Sequence, residues 1–93
     1  MRLKDRVAVI TGAGSGMGRA IAEMFAAEGA KVVCADITGK QDEVAAKIGK
    51  AAIGVHANVA IESDVREMIS TAEKNFGRLD ILVNNAGFGG GLK

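Results

Sequence analysis

The eight residues Thr11–Gly18, "TGAGSGMG", hold four glycines and follow directly on the apolar run "RVAVI" (6–10). A stretch so poor in side chains offers no hydrophobic face; its use lies in what bare backbone can approach. A helical period begins inside it: Met17, Ile21, Met24 and Phe25 recur at i, i+4, i+7 and i+8, with Arg19, Glu23 and Glu28 elsewhere on the wheel. Gly29 closes that period as a helix-ending glycine. The glycine cluster therefore stands where a buried strand hands over to a helix.

The alternation continues. "RVAVIT" (6–11) and "KVVCAD" (31–36) have the composition of strands buried on both faces. "KQDEVAAKIG" (40–49) predicts a short helix with Val44 and Ile48 inward, a Glu43–Lys47 pair outward and Gly49 closing it. "AAIGVHAN" (51–58) is a weaker third strand. Val65, Met68, Ile69, Ala72 and Phe76 then form one helical stripe that Gly77 stops, and "DILVNN" (80–85) is the fourth strand. Strands alternating with helices of this length imply βαβ units, a parallel sheet and right-handed crossovers. The expected fold class is α/β: a Rossmann-like, doubly wound parallel sheet cut to four strands in the order 3-2-1-4, with three helices. Residues 1–93 are expected to form one nucleotide-binding domain, with the glycine-rich 86–93 as a flexible tail.

At such a strand-to-helix junction the unpaired N–H groups of the first helical turn and the helix dipole create an anion site. Gly12 permits the tight turn, Gly16 lets a diphosphate reach the backbone, and Gly18 lets the helix pack close to the strand. The spacing is G-x-x-x-G-x-G. The G-x-G-x-x-G pattern is missed because Arg19 occupies its last position, and no Gly-Lys-Ser/Thr follows to make a P-loop. Asp36 falls at the end of the second strand, where a carboxylate can accept both hydroxyls of an adenosine ribose. It would repel a 2′-phosphate, and position 15 is a small Ser rather than a cation. The reading is NAD(H) rather than NADP(H).

Other chemistries find little support. The net charge is +1, basic residues are dispersed, and three Phe are the only aromatics, which argues against nucleic acid or an anionic membrane as partner. No apolar run approaches the ~20 residues of a membrane span. Cys34 is the only cysteine and His56 the only histidine, so neither an internal disulfide nor a metal site is expected. Cys34 lies in a buried strand and reads as a packed, inert thiol; His56 reads as a core or edge imidazole. These features favour a reducing, cytoplasmic setting.

"TGAGSGMG", Asp36, "NV" (58–59) and "NNAG" (84–87), in register over nearly the whole chain, resemble the short-chain dehydrogenase/reductase family. The resemblance implies that Thr11 braces the loop, while Gly12, Ser15, Gly16, Met17 and Gly18 line the pyrophosphate. It implies that Asp36 and Ile37 flank the adenosine, and that Asn58 and Val59 edge the adenine, with Asn58 in a place often taken by Asp. Asn85, Ala86 and Gly87 would pass under the second ribose, and Asn84 would tie the sheet together.

The family's proton-transferring groups are an Asn, a Ser and a YxxxK pair located beyond "NNAG", and this sequence contains no tyrosine. No catalytic residue is therefore assigned. The chain by itself is expected to bind the ADP part of NAD without turnover. The alternatives are a fragment completed by a C-terminal half on another chain, or a module that self-associates through the edge of strand four.

Overall fold

Strand β1 (Val7–Thr11) is buried at every residue and runs through the centre of a four-stranded sheet. A computed structural model describes residues 2–85 of the protein. In it, α1 (Gly16–Ala27), β2 (Lys31–Asp36), α2 (Lys40–Ile48), β3 (Ala52–His56), α3 (Glu62–Phe76) and β4 (Ile81–Val83) follow in strict alternation. All strand pairs are parallel, in the order β3-β2-β1-β4 expected from the sequence. The proposed tail, 86–93, lies outside the described residues.

Side-chain alternation along the strands divides the core into two layers. Ile10, Val32 and Cys34 point to the side covered by α1 and α2, packing with Ala22, Val44 and Ala45. Val7, Val9, Val33 and Ala35 point to the other side, against Met68 and Ala72 of α3. A central strand covered on both faces needs apolar residues at consecutive positions, which is why "VAVI" shows no polar alternation. Each fully buried Val or Ile contributes roughly 1.5–3 kcal/mol, so β1 and β2 anchor the site at their C-terminal ends.

Two expectations are corrected. Met17 and Met24 do not belong to the buried stripe of α1, being 69% and 56% exposed. The helix approaches the sheet through Gly18 and Ala22, with Ile21, Phe25 and Ala26 partly buried beside them. Contact through the smallest side chains turns the packed face away from both methionines. The Glu43–Lys47 ion pair does not form among the described residues. Both side chains instead line a cleft between α1 and α2.

The third and fourth strands are shorter than their apolar runs, at Ala52–His56 and Ile81–Val83. His56 is exposed at the end of an edge strand, in register with Asp36, so the edge reading holds. Cys34 is fully buried, and burial pushes its thiol up to about 11. No described helix is long and apolar enough to cross a membrane.

Candidate functional site

The C-terminal ends of β1, β2 and β4 bring the glycine loop, Asp36 and Asn84–Asn85 to one edge of the sheet. Gly12 and Gly16 have φ of 65° and 60°, the left-handed region that glycine enters without a Cβ penalty. Between them the chain reverses from strand to helix. Gly18 is required for a different reason: a Cβ there would run into the carbonyl oxygen of Gly12 and stand 2.8 Å from Asn85 Nδ2. The helix start is thus pressed against the turn that precedes it.

At Gly16 the opposite holds, since nothing lies within 4 Å of the place a Cβ would occupy. That open space lies at the first residue of α1. Its N-cap, Ser15, is extended and makes no side-chain capping bond, so the hydroxyl does not occupy the free N–H groups. An uncapped first turn, a positive dipole end and a glycine with room in front of it form a cradle for a diphosphate. Ser15 and Met17 are both exposed at its rim.

Asp36 closes the cradle on one side. Its Oδ2 accepts the Gly14 N–H at 2.8 Å, and its Oδ1 accepts those of Ile37 at 2.7 Å and Thr38 at 3.3 Å. The carboxylate is fixed by backbone donors, while Oδ2, with one N–H bond, keeps a lone pair for a hydroxyl. Ile37 next to it is an exposed apolar side chain at the mouth of the site.

Thr11 and β4 hold the other flank. The Thr11 hydroxyl lies 3.3 Å from the Val83 carbonyl oxygen and 3.2 Å from Asn84 Oδ1, and Asn85 Nδ2 donates to the Gly12 carbonyl at 3.5 Å. The loop is thereby tied to the strand beside it. Ala86 and Gly87 lie outside the described residues.

Asn58 is turned to local work. Its Oδ1 accepts the Ala60 N–H at 2.9 Å, and its own N–H donates to Asp64 Oδ2 at 2.9 Å. This Asx turn ties the end of β3 to the start of α3 and places Val59, half-buried, beside it. Sequence reasoning missed two contributors. Gly14 is the loop donor to Asp36, signalled only by being the fourth glycine of the cluster. Asp64 carries the bond that sets the Asn58 turn, signalled by an acid in the first turn of α3.

Comparison with known proteins shows the family and the fold. A family model described as short chain dehydrogenase matches residues 6–93. The chain is 48% identical over 94 residues to a mitochondrial borneol dehydrogenase of Lavandula x intermedia, covering 99% of this chain and 35% of that protein. A 3-ketoacyl-(acyl-carrier-protein) reductase from Brucella melitensis, solved in complex with NADH, superposes with a TM-score of 0.82 at 47% identity, covering 86% of this chain and 33% of that one. A hydroxysteroid dehydrogenase from Escherichia coli superposes with a TM-score of 0.84 at 36% identity, covering 89% and 37%. The chain spans about a third of the length of the curated relatives it matches.

Proposed function

The chain belongs to the short chain dehydrogenase family, and on that premise we propose that it binds NAD(H) through the cofactor's adenosine diphosphate part. The observation that carries this reading is the uncapped first turn of α1 opening onto free space at Gly16, with the Asp36 carboxylate fixed beside it. In this reading the N–H groups at Gly16, Met17 and Gly18 hold the diphosphate and Ser15 lines it. Asp36 Oδ2 takes the ribose hydroxyls, and the exposed Ile37 and half-buried Val59 flank the adenine with Asn58. Asn85 supports the second ribose, continued by Ala86 and Gly87. Likeness to a reductase solved with NADH supports a nicotinamide dinucleotide as ligand.

When bound, such a cofactor accepts or donates a hydride in oxidoreduction. This chain's own part is to bind and orient its adenosine end. With no tyrosine in the sequence, the chain alone is proposed to bind without turnover. Asp36 favours NAD over NADP by charge. Calorimetric titration tests the reading: ADP-ribose should bind within a few-fold of NAD, and Asp36→Ala should weaken both by at least tenfold. Equal binding by Asp36→Ala would contradict it.

A second reading is association through β4. Among the described residues this strand pairs only with β1, and Leu82 on it is 49% exposed. An apolar side chain on an unpaired edge invites another strand. Sedimentation over a concentration range separates monomer from dimer, and Ile81→Lys should dissociate the dimer while leaving NAD binding intact.

A further inference from the structure

At the edge of the sheet opposite the glycine loop, the start of each strand carries a cation. Lys50 precedes β3, Lys31 opens β2, Arg6 precedes β1 and Arg78 precedes β4, so in the spatial order β3-β2-β1-β4 they form a row. Backbone bonds hold the strand starts together: Ala51 O accepts the Val32 N–H at 2.7 Å, Arg6 O that of Lys31 at 2.8 Å, and Val7 O that of Asp80 at 2.9 Å. Neighbouring strands lie about 4.8 Å apart, so the row spans roughly 14 Å. All four residues are exposed. They are dispersed in sequence, and the fold collects them because every parallel strand starts on this side.

Charge along this edge is unbalanced. The strand starts and the turns leading into them add Arg2 and Lys4 to the row, giving six cations against three carboxylates, Asp5, Glu28 and Asp80. The three helices end on the same side, and C-terminal dipole ends of roughly half a negative charge each offset only about half of that excess. Asp80 Oδ1 accepts from Arg78 Nη2 at 2.7 Å and lies 3.7 Å from Arg6 Nη1, so two guanidiniums converge on one carboxylate. Their side chains remain 55% and 56% exposed. Lys31 and Lys50 form no ion pair among the described residues.

We propose that this edge docks an extended acidic segment of a partner protein, its carboxylates laid along the row from Lys50 to Arg78. The inference goes beyond the nucleotide reading and does not depend on it. An extended peptide rises about 3.3 Å per residue, so a run of about four or five Asp or Glu residues matches the row. Guanidinium groups take carboxylates through charge-assisted hydrogen bonds, and the Arg78–Asp80 contacts show the edge already holding one. The row carries no aromatic side chain on which a base could stack. The exposed large apolar residues, Met17, Met24, Ile37, Ile61 and Leu82, lie outside it, so it has no apolar face to insert into lipid. Charge without either companion favours a carboxylate-rich peptide.

The test follows the fluorescence anisotropy of a labelled hexaglutamate peptide as the full chain is added. Binding should saturate at about 0.05 M salt and weaken at least tenfold at about 0.3 M. Lys31→Gln combined with Lys50→Gln should weaken it at least fivefold, with Tm and ADP-ribose affinity unchanged. Lys40→Gln combined with Arg66→Gln removes the same charge away from this edge and should change peptide binding less than twofold. No saturable binding, or equal losses from the two pairs of substitutions, overturns the docking edge. Tighter binding of hexathymidylate, or of vesicles containing phosphatidylserine, overturns the acidic segment as its occupant.

Discussion

Gly14 donates its N–H to Asp36 Oδ2 at 2.8 Å, and a Cβ on Gly14 would stand 2.7 Å from that same oxygen. The glycine loop and the acid after β2 are therefore one unit, although they lie 22 residues apart in sequence. Gly14→Ala forces the carboxylate aside and crowds Lys40 and Thr38. Because Asp36 Oδ2 is the far end of a side chain, the stability loss should be modest, about 1–2 kcal/mol in urea denaturation. ADP-ribose binding should fall at least tenfold. A variant that binds like the parent would contradict the coupling.

Two neighbouring glycines should respond in opposite ways. Gly18→Ala drives a methyl into the Gly12 carbonyl, where backbone must move, so stability should drop by about 3 kcal/mol or more. Gly16→Ala meets open space and pays only for its φ of 60°, about 1–2 kcal/mol. Its methyl nevertheless stands where the diphosphate would approach, so binding should be lost from a folded protein. Denaturation and titration of the pair check this, and the reverse ranking would refute the two roles.

At the opposite end of the sheet, Asp80 should set the acid limb of stability. Its carboxyl is held below the ordinary 3.8, first by the Val7 N–H and then by Arg78 and Arg6. The bonds are 2.9 Å from Val7 N and 2.7 Å from Arg78 Nη2, with Arg6 at 3.7 Å. A depressed folded value means the contribution is present above 3.8 and lost as pH falls through the folded value. Asp80→Asn should lower Tm at neutral pH and flatten its fall between about pH 4 and about pH 2. Parallel Tm profiles for parent and variant would count against the network.

Cys34 should be silent while the protein is folded. Burial raises its thiol from 9.0 to about 11, so its contribution to stability is intact below 9.0 and lost as pH rises toward 11. Alkylation by iodoacetamide at neutral pH should proceed only as fast as the chain opens, and should accelerate in urea at the unfolding midpoint. Rapid labelling of the native protein would show that the α1–α2 side of the core is open.

Much of this was legible because each strand and helix carried its own periodicity. "VAVI" could only be a strand covered on both faces, and of the stripe Val65, Met68, Ile69, Ala72 and Phe76 all but the half-buried Ile69 pack in the layer under α3. Met24 was misread because hydrophobic spacing does not reveal that Gly18 and Ala22 make the closest contact and rotate the packed face. The loop glycines were legible as a group, but the division of labour among Gly14, Gly16 and Gly18 depends on neighbours distant in sequence. The cleft of Lys40 and Lys47 depends on how α1 and α2 pack together, so the linear chain showed only a helix with an expected Glu43–Lys47 pair.

The most direct measurement is the shift of backbone amide resonances in a ¹⁵N-labelled chain as ADP-ribose is added. Binding as proposed should move Gly14, Gly16, Met17, Gly18 and Ile37 most, with the amides at Arg6–Val7 and Arg78–Asp80 unmoved. Saturable shifts concentrated away from the β1–α1 turn, or no shift in that turn at concentrations that saturate binding, would contradict the account.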